Sequence, residues 1–87
     1  MSTKVHFTRH ARSRMEERGI SEEEVTRTLS SPLEVIRGHH GRELFTSHDP
    51  VCRYIVVVVE RADEALIVVT ALRVDRERAL KYGFTRV

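Results

Sequence analysis

The sequence predicts an α+β fold, two N-terminal helices packed on an antiparallel sheet, and three observations carry that prediction. A helical period with start and stop signals covers Arg9–Arg18, and a second helix start follows at Ser21. The second half holds two runs rich in Val and Ile, separated by a short polar turn. With 87 residues, 1–87 reads as a single domain. At that size one core must take most of the apolar residues, which make up 40% of the chain. Charged residues at 32% fit a folded globular protein and argue against disorder.

Each element has its own signal. Thr8 is the expected N-cap of the first helix, and Gly19 is placed to end it with a positive φ. Ala11, Met15 and Arg18 fall at i, i+4 and i+7, which marks Ala11 and Met15 as the buried stripe. His10, Arg14 and Glu17 line the neighbouring stripe, and Val5 and Phe7 could form a short strand or an apolar staple before the cap. Ser21-Glu22-Glu23-Glu24 is a capping box, with three carboxylates at the positive end of the second helix. Val25 and Leu29 supply that helix's apolar face, and Ser30-Ser31-Pro32 stops it.

Strands follow. Leu33–Arg37 and Arg42–Ser47 are short candidates around the turn-like Gly38-His39-His40-Gly41, and Asp49-Pro50 breaks the chain again. Cys52–Glu60 and Ala65–Leu72 are the strongest strands, and Arg61-Ala62-Asp63-Glu64 joins them as an antiparallel hairpin. Asp75–Tyr82 could form a short C-terminal helix, with Gly83 as its stop. Ile55–Val59 and Leu66–Val69 are apolar on both faces, so both sides of the sheet need cover. Two helices can cover one side. The other needs Phe45, the C-terminal segment, a second copy or another protein.

Charge is unevenly spread. Residues 1–18 carry five basic against two acidic side chains, residues 73–87 again five against two, and residues 19–72 five against nine. If the two ends meet in space they make one basic patch, the footprint of a polyanion partner, with ordinary solvated surface as the alternative. No apolar stretch approaches the roughly 20 residues that span a bilayer. The first residues lack the apolar core of a secretory signal, so a cytoplasmic location with no membrane partner is expected. The lone Cys52 is expected to be a buried strand residue. His6, His10, His39, His40 and His48 have no metal-site spacing, so neither a metal nor another cofactor is expected. Phosphate-binding glycine loops and serine-hydrolase elbows are lacking too. The helix pair around Gly19-Ile20 is a poor DNA reader, because phosphate would repel the three glutamates that open its second helix.

The run His10-Ala11-Arg12-Ser13-Arg14-Met15-Glu16-Glu17-Arg18-Gly19-Ile20-Ser21 closely resembles the opening H-A-x-x-R-M-x-x-R-G-I-[ST] of an uncharacterised family of small bacterial domains. That family looks related to the RelE-like and BrnT-like toxins, metal-independent endoribonucleases. The resemblance implies two helices on a curved antiparallel sheet of about four strands. Val69-Thr70-Ala71-Leu72-Arg73, with Arg76, Arg78, Lys81 and Tyr82 beyond it, is similar to the last strand and basic tail of BrnT-like toxins. Cutting RNA without a metal needs a base for the 2′-hydroxyl, an acid for the leaving 5′-oxygen, and cations around the phosphorus oxygens. Histidine suits the proton transfers and arginine the phosphate. His10, Arg14, Lys81 and Tyr82 are therefore the catalytic candidates. Arg12, Arg18, Thr70, Arg73, Arg76 and Arg78 are the RNA-binding ones. The function so implied is a toxin-like endoribonuclease of a toxin–antitoxin type system, with RNA as substrate and a cognate antitoxin or a homodimer partner covering it. Two alternatives stay open: a non-catalytic RNA- or protein-binding domain of the same fold, and an interaction subunit docking through its apolar sheet face.

Overall fold

The computed structural model describes residues 4–87. In chain order the elements are β1 (Lys4–Phe7), α1 (Arg9–Arg18), α2 (Glu22–Ser30), β2 (Glu34–Arg37), a 3-10 turn at His39–Gly41, β3 (Arg42–Asp49), β4 (Arg53–Ala62), β5 (Ala65–Val74) and α3 (Arg76–Tyr82). The strands form one five-stranded sheet in the order β1-β5-β4-β3-β2. The expected sheet of about four antiparallel strands is corrected in two ways. A fifth strand, β1, joins it, and β1 runs parallel to β5, with Lys4 opposite Ala65 and Phe7 opposite Val68. The remaining pairs are antiparallel. Four residues that alternate Lys4, Val5, His6, Phe7 are too short a period to announce a strand unaided.

Both N-terminal helices start and stop where side-chain chemistry allows. The Thr8 hydroxyl accepts from the Ala11 amide at 3.0 Å, and Gly19 closes α1 in the left-handed region at φ 65°. The Ile20 amide then reaches back to the Met15 carbonyl at 2.9 Å, which seats the Ile20 side chain in the core. Ser21 and Glu24 complete the capping box of α2. Inside α2, Val25 and Thr28 are the fully buried residues and Leu29 is only half-buried. The Thr28 hydroxyl can turn inward because it has polar partners there, the Ser47 hydroxyl at 2.8 Å and the Glu24 carbonyl at 3.0 Å.

The core is split by the sheet. Along β4, Ile55, Val57 and Val59 pack beneath α1 and α2 with Ala11, Met15, Val25 and Phe45. Tyr54, Val56 and Val58 face the other way, with Leu44, Val74, Ala79 and Phe84. A bulge opposite Val58 and Val59 adds one residue to β5, so Val68 and Ala71 share the helix side although they are three apart. Of the coverings open to the second face, the C-terminal segment is the one present, while Phe45 packs on the helix side. Asp75 caps α3 through the Arg78 amide, and Gly83 ends it at φ 108°. Phe84 then enters the core almost wholly buried, worth roughly 1.5–3 kcal/mol by burial alone. The tail is tied to β2 by Glu34, whose carboxylate accepts from the Thr85 amide and hydroxyl and from the Arg86 amide at 2.8–2.9 Å.

Two turns differ from expectation. Cys52 is exposed in a turn, not buried in a strand. The reason is Asp49, whose carboxylate accepts from the Val51 and Cys52 amides and so holds the chain out of the ladder until Arg53. The hairpin between β4 and β5 is tighter than Arg61–Glu64: Arg61 and Ala62 stay in the ladder, and only Asp63-Glu64 turns, with Asp63 at φ 52°.

Candidate functional site

The candidate residues fall into three places. On the outer side of α1, His10 is exposed, Arg14 is paired with Glu17 at 3.1 Å, and Arg12 is paired with Glu22 while lying over the Phe7 ring at 5.2 Å. Exposed pairs of this kind contribute about 0–1 kcal/mol each and leave these guanidiniums exchangeable.

A second group meets where α1 ends beside the C-terminal half of β5. A cleft of about 640 Å³ lies there, lined by Arg18, Val51, Cys52, Leu72, Arg73 and Arg78. Here the two basic ends of the chain do meet, but two of the three arginines are committed to the fold. Strand β1 covers the edge of β5 only as far as Val68. Beyond it, Arg18 donates through Nη1 to the Ala71 carbonyl at 2.8 Å and to the Thr70 hydroxyl at 3.3 Å. Arg73 is engaged along its whole fork. Its Nε meets both Asp49 oxygens at 3.2 Å, Nη1 meets the Arg18 and Gly19 carbonyls at 2.9 and 3.2 Å, and Nη2 meets Glu24 at 2.8 Å. With 16% of its side chain exposed, Arg73 ties the end of α1, the cap of α2 and the β3–β4 turn to β5. Among the described residues neither Arg18 nor Arg78 forms an ion pair, and the Arg78 side chain makes no hydrogen bond, whereas Arg76 donates to the Val87 carbonyl at 3.1 Å.

The third place holds Lys81 and Tyr82. They line a groove of about 400 Å³ with Arg37, His39, His40 and Arg42, over a floor of Leu44 and Val58. Among the described residues no carboxylate lines this groove. The nearest ion pair is Arg42 Nε with Glu60 at 3.1 Å, which leaves the rest of that fork free. Tyr82 is 38% exposed, available for stacking. The hairpin tip is shaped by two successive left-handed residues, His40 at φ 59° and Gly41 at φ 75°, and is closed by the Gly38 amide on the Arg42 carbonyl at 2.8 Å. Gly38 itself lies so close to the Leu44 side chain that a Cβ there would collide with it.

Arg78, Lys81 and Tyr82 are spaced i, i+3, i+4, so one stripe of α3 serves both clefts. Thr70 is opposite Val58, and Leu72 is opposite Val56. Leu72 of the first cleft and Val58 of the second are therefore diagonal cross-strand neighbours, roughly 7–8 Å apart. The two clefts are joined by one strip of sheet beside α3, which carries Thr70, Leu72, Arg78, Lys81 and Tyr82. Arg18, at the end of α1, and Arg73, opposite Ile55 on the helix side of β5, border its far end. His10, Arg12 and Arg14 do not join them, because α1 packs on the opposite face. Reading the sequence missed Arg37, His39, His40 and Arg42. Their signal is the symmetric run Arg37-Gly38-His39-His40-Gly41-Arg42, a local cationic island diluted when charge is totalled over an acidic middle. Among the described residues no three His, Cys, Asp or Glu side chains are arranged to hold a metal ion, and no helix is long and apolar enough to cross a membrane.

These features define a small α+β domain with a mixed five-stranded sheet and a cationic groove that no carboxylate lines among the described residues. The chain belongs to the domain family of unknown function DUF4258, whose model matches residues 7–75. The match takes in Arg37 to Arg42 and stops at Asp75, the cap of α3, so Lys81 and Tyr82 lie beyond it. Comparison with curated proteins and with solved structures returned no match.

Proposed function

We propose that this chain is a RelE-like, toxin-type domain that binds single-stranded RNA along the strip beside α3 and cuts it without a metal. The observation that carries this reading is the groove itself: Lys81 and Tyr82 share it with Arg37, His39, His40 and Arg42, and no carboxylate among the described residues lines it. Phosphate needs cations that are not already neutralised, and a base needs an exposed aromatic face, and the groove offers both. Arg78 and the half-buried Thr70 and Leu72 extend it towards Arg18 and Arg73. In this reading Arg73 positions the strip, because its donors are spent on Asp49, Glu24 and two carbonyls. A cognate antitoxin or a second copy of the chain would act by covering the groove.

A second reading, a non-catalytic RNA-binding domain of the same fold, is favoured by one observation. His10, the sequence's candidate acid or base, packs on the α1 side, across the sheet from Lys81 and Tyr82. The test of binding common to both readings is fluorescence anisotropy of the full chain with a labelled single-stranded RNA at low salt. Arg37→Ala and Lys81→Ala are each expected to weaken binding about tenfold, and His10→Ala to leave it unchanged. No binding by the wild type, or equal binding by all four proteins, sinks the RNA assignment. Cleavage of an end-labelled RNA in the presence of a chelator then separates the two readings.

A further inference from the structure

We infer that His39 and His40 are the acid–base pair of this groove, transferring the two protons of a metal-independent RNA transesterification. The inference rests on the RNA-cutting reading above and supplies the proton-transfer groups that His10 cannot bring to Lys81 and Tyr82.

Two features of the hairpin tip point to it. The imidazole centroids of His39 and His40 are 6.4 Å apart, with the rings inclined at 55°. A general acid or base must come within about 3 Å of the oxygen it serves, and the attacking and leaving oxygens flank a single phosphorus. Two rings at this separation can therefore reach opposite sides of one phosphodiester. The second feature is the backbone. His40 has φ 59° and ψ 36°, a left-handed conformation unusual for a residue with a side chain, in a turn where glycine would sit without strain. Arg53 and Asp63 share a positive φ in other turns, but His40 is the one of the three that lines the cationic groove.

The step balances without a co-reactant. The neutral imidazole of the pair takes the proton of the 2′-hydroxyl as that oxygen bonds to phosphorus. The bond from phosphorus to the 5′-oxygen breaks, and the protonated imidazole gives its proton to that oxygen. The products are a 2′,3′-cyclic phosphate and a free 5′-hydroxyl, and the two histidines have exchanged protonation states. The charged groups that line the groove with the pair are Arg37 from β2, Arg42 from β3 and Lys81 from α3, together with Tyr82. The cations hold the phosphorus oxygens as charge gathers on them.

The experiment uses the purified full chain, a chelator, and a pool of 5′-labelled single-stranded oligoribonucleotides, with matched oligodeoxyribonucleotides as controls. The variants are His39→Ala and His40→Gly; the glycine suits the left-handed turn and so removes the imidazole without disturbing the hairpin. The wild type is expected to cut RNA but not DNA, to leave 2′,3′-cyclic phosphate ends, and to show a bell-shaped pH–rate profile. Each variant is expected to lose about 10²-fold or more in rate and one limb of the bell, a loss far larger than any change in its affinity for RNA. Cutting by both variants at the wild-type rate and pH profile overturns the inference and leaves the cutting reading intact. A wild type that binds RNA but cuts none of the pool overturns the inference together with the cutting half of that reading. A wild type that binds no RNA removes the reading on which both rest.

Discussion

Arg73 shows what a single residue can do in a domain this small. It is a strand residue whose guanidinium reaches a helix C-terminus, a helix cap and a turn at once, and Asp49, the more buried of its two acidic partners, has only 4% of its side chain exposed. Removing Arg73 leaves a buried carboxylate with two backbone amides and no counter-charge. Breaking a buried pair in this way costs about 3 kcal/mol or more, a large part of what an 87-residue domain can hold in reserve. Arg73→Ala is therefore expected to lower the urea midpoint by an amount corresponding to about 3 kcal/mol. Arg73→Lys should recover little of that, because one ammonium cannot reproduce a fork that serves three elements. A lysine variant as stable as the wild type would show that charge alone is needed there. The sequence marks Arg73 as basic, but its spending on Asp49 and Glu24 is a tertiary fact. Those partners are 24 and 49 positions away, and no local pattern connects them.

At the scale of elements, the C-terminal segment is held by a different device. Burial alone would raise the Glu34 carboxyl. The hydrogen bonds from the Arg86 amide and from the Thr85 hydroxyl and amide, together with the Arg86 charge, outweigh that and hold it below its ordinary value of 4.5. A depressed carboxyl stabilises the fold above its unfolded pKa, and that contribution fades as pH falls through the folded value. Glu34→Gln keeps the shape but cannot titrate. The wild type is therefore expected to melt higher than this variant near neutral pH, with the gap narrowing below about pH 4.5 as the carboxylate takes up its proton. A gap that stays constant on acidification would show that Glu34 acts by packing and not by charge. The elements themselves were largely legible. Thr8, Gly19, Ser21 with Glu24, and Gly83 each mark a boundary by local chemistry, and the structure places ends at all of them. What escaped was non-local. The short strand open to Val5 and Phe7 is fixed, and made parallel, by the edge that β5 offers it, and Cys52 is pulled into a turn by a carboxylate three residues before it. The second apolar face is covered by α3 and Phe84, and the both-sided apolar pattern of β4 demanded a cover without naming it.

For the whole molecule, the sequence read its charge as two basic ends around an acidic middle, and the fold redistributes that pattern. The ends converge only around Arg18, Arg73 and Arg78, where Arg18 and Arg73 have structural partners. The cations with freer heads gather along the other half of α3, where Lys81 from the basic tail meets Arg37 and Arg42 from the acidic middle. Half of the site was thus legible as a basic tail. The other half was hidden because residues adjacent at a hairpin tip count for little in a total taken over 54 positions, 19–72. The strip carries Arg37, Arg42, Arg78 and Lys81, with Arg18 at its far end, so a strand laid along it would replace counterions at about three to five phosphates. Single-stranded RNA releases roughly 0.7 of an ion per phosphate, so log affinity is expected to fall against log salt with a slope of about −2 to −3.5. Removing Arg78 and Lys81 together should flatten that slope by about 1.4 and weaken binding to every RNA alike, since phosphate contacts carry no base preference. Removing Arg12 and Arg14 on the opposite side of the sheet should leave the slope unchanged. The reverse outcome, a slope that follows Arg12 and Arg14 and ignores Arg78 and Lys81, would place the polyanion on the outer face of α1 and separate RNA binding from the groove that holds His39 and His40.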